Sequence, residues 1–176
     1  MKIRDLLKLL AFQTGAQVSI NELCNTLRLN RETVERYLFL LEQSFIVFRL
    51  TAFSRNLRNE ISKSQKFYFY DNGIRNMMID NLNRPEARND MGVLWENFII
   101  SERKKKLLYD HPRVSSYFWR NYAGAELDIV EESNNKLSAI KIKYKKPRLK
   151  APKAWTDNYG NDFQCITREN YLGFVL

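Results

Sequence analysis

Apolar residues recur at helical spacing in three short segments near the start of the chain. The spacing predicts helices over 2–13, 20–27 and 31–42. Ser19 precedes the second segment and Asn30 the third, and both residue types accept hydrogen bonds from the amides of a first helical turn. The pattern therefore predicts three consecutive helices separated by tight turns.

Two strongly apolar segments follow the third helix. "FIVFRL" (45–50) and "KFYFY" (66–70) are rich in β-branched and aromatic residues, and a polar loop separates them. Three helices followed by a hairpin are typical of a winged helix-turn-helix. We expect residues 1–83 to form a domain of that kind.

A second domain is predicted to begin at a polar connection, residues 84–90. Before this connection, Asp71 or Asn72 is expected to cap a short helix. After it, residues 91–109 are predicted to form a long helix, in which an apolar start is followed by the charged run "SERKKK".

The rest of the chain has the pattern of a sheet. A strand is expected at 114–120, a hairpin at 124–144, a short helix at 152–158 and a last strand at 163–167. The order helix, three strands, helix, strand indicates an α/β arrangement around a central mixed sheet. We assign residues 84–176 to this domain.

The hairpin carries most of the candidate chemistry. Strand alternation places Glu126 and Asp128 on one face, with Lys141 and Lys143 on the matching face of the partner strand. One interpretation is a set of cross-strand ion pairs on a solvated face, each worth about 0.2–1 kcal/mol. The other is a nuclease site in which Asp128 binds magnesium, Lys143 orients water and Glu96 is an accessory carboxylate.

The net charge of +9 comes mostly from the C-terminal part of the chain. Residues 136–153 include eight basic side chains and no acidic ones, which favours a phosphate backbone as partner. A base could stack on the nearby Tyr144 or Trp155, although packing under the last helix is the preferred prediction for Trp155. The candidate nucleic-acid-binding residues of this tract are Lys145, Lys146, Arg148 and Lys150.

The loop between the two strands of the first domain is also basic. Arg55, Arg58 and Lys63 are candidate nucleic-acid contacts there. The outward stripe of the third helix instead carries Glu32 and Glu35, which would repel a phosphate backbone. The first domain is therefore as consistent with a structural role as with nucleic-acid binding.

Composition restricts the remaining function classes. With 44% hydrophobic and 28% charged residues, the chain lies in the globular range. Cys24 and Cys165 are too few for a disulfide framework or a zinc site, which fits a reducing cytoplasm. No apolar run has transmembrane length and the first residues lack a signal-peptide pattern, so no membrane partner is expected.

Several strings resemble known families when taken in order. "WENF", "GAELDIV" and "AIKIK" resemble the helix Glu, strand Asp and (D/E)xK elements of PD-(D/E)xK nuclease-like domains. "KFYFYDNGIRN", "LWENFIISE", "YFWR" and "GAELDIVEE" are similar to the C-terminal half of bacterial AAA-type ATPases, which carries the domain of unknown function numbered 4143. This resemblance covers nearly the whole chain and implies a winged helix followed by a restriction-endonuclease-like domain.

Proteins of that family have a P-loop ATPase region before these domains. No G-x-x-x-x-G-K-[ST] motif occurs in this chain. The resemblance therefore implies a fragment, or a product that has lost its motor. ATP would bind only in the missing N-terminal part, and that ATPase region would be a partner of the chain.

The resemblance also implies roles for particular residues. Glu96 matches the helix acid, Asp128 the strand acid and Lys143 the motif lysine, whereas Lys141 stands where the family has Asp or Glu. An ammonium about 4 Å from a divalent ion costs roughly 8 kcal/mol at an effective dielectric constant near 20. The remaining candidate metal ligands are Asp128 and Glu126, so we expect a degenerate site without catalytic activity.

These observations favour one function over two rivals. The leading hypothesis is a nucleic-acid-associated accessory module of a bacterial AAA-type ATPase, with a nuclease-like fold. One rival is an active magnesium-dependent DNA nuclease, which predicts cleavage that Asp128→Ala abolishes. The other is a protein-interaction module that regulates the ATPase, which predicts binding to the ATPase region.

Overall fold

The computed structural model describes residues 2–55, 60, 64–110, 113–148 and 150–176. Within these ranges the protein is a mixed α+β chain with two sheets and seven α-helices. It forms two compact units, of which the first comprises 1–49 and 64–101 and the second 50–63 and 102–176. No helix in the described ranges is both long enough and apolar enough to cross a membrane.

The first unit begins with three helices that confirm the predicted ones. They are α1 (Lys2–Phe12), α2 (Ile20–Leu27) and α3 (Arg31–Gln43). Ser19 accepts a hydrogen bond from the amide of Glu22, and Asn30 accepts one from the amide of Thr33, as the sequence predicts. The apolar faces of the three helices share one core cluster with the sheet of this unit.

A three-stranded sheet completes that core. Its strands are β1 (Gln17–Val18), β2 (Val47–Thr51) and β3 (Gln65–Phe69), in the order β1-β3-β2. β2 and β3 confirm the two predicted strands. β1 is not predicted, because two residues are too few to show alternation. It pairs antiparallel with β3, where Gln17 lies opposite Lys66.

Two α-helices follow β3 in the chain. Asp71 caps α4 (Asn72–Met78) by accepting a hydrogen bond from the amide of Ile74 at 3.0 Å. A 3-10 turn (Pro85–Ala87) leads to α5 (Met91–Asp110), close to the predicted bounds.

The segment between α4 and α5 is fastened by Asp90. Arg88 Nε donates to Asp90 Oδ1 at 2.8 Å, and Arg75 Nη1 donates to Oδ2 at 2.5 Å. Arg75 also donates to the carbonyl of Ala11 at 3.1 Å, which joins α4 to α1. Burial raises the pKa of a carboxyl group, but the hydrogen bonds from Arg88 and Arg75 outweigh it, and the pKa of Asp90 lies below its usual value. Within the predicted polar connection, Arg88 and Asp90 thus have fixed partners, whereas residues 84–87 and Asn89 are exposed.

The second unit is built on a four-stranded sheet. Its strands are β4 (Ser115–Arg120), β5 (Glu126–Ser133), β6 (Lys136–Ile142) and β7 (Phe163–Ile166), in the order β4-β5-β6-β7. β4, β5 and β6 are antiparallel to one another and β7 runs parallel to β6, so the sheet is mixed, as predicted. α6 (Lys153–Tyr159) connects the parallel pair, and α7 (Leu172–Val175), which was not predicted, follows β7.

An aromatic cluster fills the core on one side of this sheet. Trp119, Trp155 and Phe53 pack there together with Leu127 and Val130. The rings of Trp119 and Trp155 meet edge to face, with centroids 5.4 Å apart. Only 1% of Trp155 is exposed, which confirms that it packs in the core and does not offer a face to a base.

Candidate functional site

The hairpin of β5 and β6 sets the register of the candidate site. Residues 134–135, both Asn, form its two-residue turn with φ of 50° and 62°. Asparagine tolerates this left-handed conformation, which suits the tight turn of a hairpin. The ladder pairs Ile129 with Ile140, so Asp128 lies opposite Lys141. The predicted juxtaposition of these two side chains is confirmed.

Asp128 and Lys141 form a buried ion pair. Lys141 Nζ donates to Asp128 Oδ1 at 2.6 Å, and the amide of Ile142 donates to Oδ2, also at 2.6 Å. The side chain of Asp128 is 2% exposed and that of Lys141 is 11% exposed. The interpretation as a pair on a solvated face is therefore wrong, because both charges lie inside the protein.

A β-bulge in β5 lies at Asp128. β4 pairs Trp119 with Leu127 and Tyr117 with Val130, so two residues of β5, Asp128 among them, oppose one residue of β4. As a result Leu127 and Val130 pack in the same core cluster, although strict alternation would put them on opposite faces. A bulge leaves no mark in the hydrophobic pattern, so the faces assigned from alternation do not hold along this strand.

Both carboxylate oxygens of Asp128 already accept hydrogen bonds from nitrogen donors. Magnesium binds carboxylate oxygens at about 2.0–2.1 Å, so an ion on Asp128 would meet the ammonium of Lys141 directly. Glu126, the second candidate ligand, forms an ion pair with Arg120 of β4 at 3.7 Å. In the part of the chain that the structure describes, no group of three or more His, Cys, Asp or Glu side chains could hold a metal ion. This donor set does not fit a magnesium centre.

Glu96, the predicted helix acid, belongs to the first unit. The Tyr68 hydroxyl donates to Glu96 Oε1 at 2.8 Å, and a Cβ at Gly15 would lie 3.0 Å from the same oxygen. The neighbouring Asn97 accepts from the amide of Phe69 at 2.8 Å and donates to its carbonyl at 2.9 Å. These contacts fasten α5 to β3. The segments "WENF" and "KFYFY", which carry part of the resemblance, are therefore in direct contact through these hydrogen bonds.

The segment that follows β6 carries a set of exposed cations. We call residues 143–148 and 150 the basic loop; its cations are Lys143, Lys145, Lys146, Arg148 and Lys150. None of the five forms an ion pair with a described carboxylate. Two hydrogen bonds hold the loop against β7: the amide of Lys143 donates to the carbonyl of Ile166 at 2.9 Å, and that of Arg148 donates to Cys165 Sγ at 3.2 Å. The motif lysine, Lys143, thus belongs to a solvated cationic surface.

The far end of the basic loop borders an open cleft of about 470 Å³. Its lining residues are Lys150, Ala151, Lys153, Thr156, Asn161 and Phe163. Near the start of the loop, the guanidinium of Arg168 covers Tyr144 at 4.8 Å from the ring centroid. Tyr144 therefore offers less of its ring to a base than the sequence suggests.

Of the basic residues predicted between β2 and β3, Arg55 can be placed. It forms an ion pair with Glu132 at 2.5 Å, and its guanidinium lies 5.5 Å from the ring centroid of Phe53. Its charge is thus partly compensated within the second unit. Arg58 and Lys63 lie outside the described residues, and their predicted contacts stay predictions.

A buried carboxylate that the sequence analysis missed is that of Glu60, which is 3% exposed. It accepts hydrogen bonds from Trp119 Nε1 at 2.7 Å, from the Tyr159 hydroxyl at 2.6 Å and from the amide of Arg55 at 3.1 Å. Burial and the hydrogen bond to Glu60 raise the pKa of Tyr159 to about 12. Apart from being an isolated acid in a basic segment, Glu60 has no sequence signal that points to this network.

A second buried ion pair joins α5 to the sheet. Arg103 Nε and Nη2 donate to the two carboxylate oxygens of Glu131 at 2.7 and 2.6 Å. Arg103 Nη1 also donates to the carbonyl of Phe174 at 2.9 Å, and the guanidinium lies 4.4 Å from the Phe174 ring centroid. Arg103, which belongs to the charged run "SERKKK", thus anchors α7.

Comparison with protein families gives two matches. Residues 91–171 match the family described as Domain of unknown function (DUF4143). Residues 1–86 match the family described as Domain of unknown function (DUF8612). The first match confirms the resemblance to the 4143 domain in the second part of the chain. The predicted domain boundary between residues 83 and 84 stays a prediction.

The relatives found among curated proteins come from mycobacteria. The uncharacterized proteins Rv2008c of Mycobacterium tuberculosis and Mb2031c of Mycobacterium bovis are each 31% identical over 137 residues, which cover 77% of this chain. The chain spans about 30% of the length of these relatives. No solved structure matches the chain at a significant level.

Proposed function

We propose that the chain is a nucleic-acid-associated accessory module of a bacterial AAA-type ATPase. The basic loop is the observation that carries this proposal, because it presents five exposed cations without an acidic partner among the described residues. Lys and Arg contacts to phosphates release counterions and supply nearly all of the sequence-independent affinity for nucleic acids. Two backbone amides of this loop donate hydrogen bonds to β7, one to the Ile166 carbonyl and one to Cys165 Sγ, and these bonds hold the backbone that carries the cations.

The first unit is proposed to be a winged helix-turn-helix. Its order of helices and its three-stranded sheet support that assignment. On α3, Glu35 pairs with Arg31 and Arg49, each at 3.5 Å, and Arg49 also pairs with Glu42 at 3.3 Å. These pairs weaken the repulsion expected from α3 but leave Glu32 exposed. The affinity for phosphates is therefore proposed to come from the basic loop and not from α3.

The second unit is proposed to be nuclease-like in fold and inactive as a nuclease. Lys141 donates to the carboxylate of Asp128, the residue that would have to bind the metal. Replacing the ammonium by a divalent ion would leave Lys141 buried beside the metal, which Coulomb repulsion opposes. The proposal therefore assigns no magnesium to this chain.

The association with an ATPase region is proposed from the family resemblance of the sequence and from the greater length of the curated relatives. The match to DUF4143 supports the resemblance, and the chain spans about 30% of its curated relatives. In this proposal ATP binds to a region outside this chain, and that region is its protein partner.

A gel-shift titration at low salt tests the proposal. Single-stranded DNA, duplex DNA and RNA are each incubated with the protein, with and without magnesium. We expect retarded bands that disappear as salt is raised, with intact nucleic acid in every lane. No shift with any of the three at low salt rejects the proposal. Magnesium-dependent cleavage that is lost in an Asp128→Ala protein whose tryptophan fluorescence shows it to be folded establishes the nuclease instead.

A second candidate function is protein docking through α3. Phe39 and Leu40 on α3 are 56% and 45% exposed, and Phe45 directly after it is 67% exposed. Large apolar side chains grouped on a surface are typical of protein-interaction sites. Pulldown of the ATPase region by the wild type, but not by a Phe39→Ser/Phe45→Ser variant, would support this candidate.

A further inference from the structure

Three loops of the second unit lie at the same end of its sheet. β4 and β6 both end there, β5 begins there, and β7 ends there because it runs parallel to β6. The three loops are therefore the β4–β5 turn (121–125), the basic loop and the segment after β7 (167–171). Neighbouring strands are about 4.8 Å apart, so the ends of β4 and β6 are separated by roughly 10 Å.

The β4–β5 turn presents an exposed aromatic ring at this end. The side chain of Tyr122 is 68% exposed. The turn around it is fixed, because Asn121 Oδ1 accepts from the amide of Ala125 at 2.8 Å and the Asn121 carbonyl accepts from Gly124 at 3.1 Å. Gly124 has φ of +87°, a conformation that glycine adopts without strain. Tyr122 is thus held on a rigid turn.

The charges at this end of the sheet are strongly unbalanced. Asp128 is neutralised by Lys141 and Glu126 is paired with Arg120, both close to the strand ends. The three loops together contain one acidic residue, Glu169, and six basic ones. The basic residues are Lys143, Lys145, Lys146, Arg148, Lys150 and Arg168. The surface beside Tyr122 is therefore cationic.

We infer that this end of the sheet binds single-stranded nucleic acid, with phosphates on the basic loop and a base stacked on Tyr122. The inference rests on the proposed function and specifies its substrate. Aromatic rings beside a cationic groove are the usual means of holding single strands, since every base has a face that can stack. In a duplex the bases are already stacked on one another, so none of them is available to stack on Tyr122.

Fluorescence anisotropy with a labelled oligo-dT tests this inference. The same oligonucleotide with abasic sites and a duplex of equal length are the comparison ligands. Tyr122→Ala removes the ring and Tyr122→Phe keeps it. Tyr109→Ala is the matched control, since Tyr109 is 86% exposed near the end of α5, which leads to the opposite end of the sheet.

We expect Tyr122→Ala to weaken oligo-dT binding roughly tenfold, with Tyr122→Phe and Tyr109→Ala close to the wild type. The abasic strand should bind the wild type and Tyr122→Ala equally weakly. Unchanged oligo-dT affinity in Tyr122→Ala, or duplex binding as tight as oligo-dT binding, overturns the single-strand inference and leaves the proposed function standing. A wild type that binds none of the three ligands at low salt overturns both.

Discussion

Lys141 Nζ lies 2.6 Å from Asp128 Oδ1, and the two side chains are only 11% and 2% exposed. Two charges taken out of water are stable only as a pair, since each one alone would keep its full desolvation cost. Lys141, which stands where the resemblance of "AIKIK" to a (D/E)xK element would put an acid, therefore has a structural role. The lysine supplies the positive charge that the buried carboxylate requires.

Removing one member of this pair should destabilise the protein strongly. We expect Lys141→Ala to lower the free energy of unfolding by about 3–5 kcal/mol, because Asp128 stays buried without a counter-charge. Asp128→Asn/Lys141→Met should recover much of that loss, because the amide oxygen still accepts from Ile142. Urea denaturation followed by tryptophan fluorescence measures both. Lys146→Ala is the exposed control, with an expected change within about 0.5 kcal/mol; an equally small change in Lys141→Ala would refute the argument.

Placing a carboxylate at position 141 should create a metal site. Lys141→Glu places two carboxylates side by side, and their repulsion is relieved when a divalent ion binds between them. We expect manganese to raise the melting temperature of Lys141→Glu and to leave those of the wild type and Lys141→Gln unchanged. If manganese stabilises the wild type and Asp128→Asn abolishes that effect, the site is functional and the degenerate interpretation is wrong.

The hydrogen bonds that Asp90 accepts from Arg75 and Arg88 should make the stability of the first unit sensitive to acid. Folding lowers the pKa of Asp90, so the folded state releases this proton more readily than the unfolded chain does. The stabilisation is complete above the unfolded pKa, about 3.9, and is lost as pH falls through the lower folded value. Denaturation at a series of pH values should show this loss in the wild type and a flatter curve in Asp90→Asn. The same slope in both proteins would exclude Asp90 as its source.

The network at Glu60 should depend on the Tyr159 hydroxyl. Tyr159→Phe removes one donor from a buried carboxylate, and we expect the free energy of unfolding to fall by about 1–3 kcal/mol. Folding raises the pKa of Tyr159 to about 12. The stabilisation is therefore complete below the unfolded value of about 10 and is lost as pH rises through the folded value. Over this alkaline range the wild type should lose more stability than Tyr159→Phe, and equal losses would contradict the assignment.

Much of the fold follows from local signals. Ser19, Asn30 and Asp71 mark the starts of helices because each accepts from an amide three residues further on. The sequence predicts a hairpin turn near Ser133 and Asn134, one residue before the two asparagines at 134–135 that form it, and this is close enough to predict that Asp128 lies roughly opposite Lys141. Both kinds of signal act within a few residues and are therefore visible in the sequence.

The features that sequence reasoning missed depend on distant contacts. The bulge at Asp128 is set by pairing with β4, and it decides which side chains of β5 share a face. Glu60 is buried by Trp119 and Tyr159, which are 59 and 99 residues away in the chain. Arg88 looks like part of a solvated connection, yet its guanidinium is buried against Asp90. Charge and polarity alone cannot show which polar residues will find buried partners.

The salt dependence of nucleic-acid binding tests the central claim most directly. For single strands, each phosphate that the protein neutralises contributes about 0.7 to the slope of log K against log salt. A triple variant of the basic loop carries Lys145→Ala, Lys146→Ala and Arg148→Ala. A control with the same change in charge carries Arg4→Ala, Lys8→Ala and Lys136→Ala, all at exposed positions. We predict that the slope of the first variant is smaller by about 2 and that most of its affinity disappears, while the control keeps the wild-type slope. Identical slopes in the two variants would contradict the assignment of the basic loop as the nucleic-acid contact.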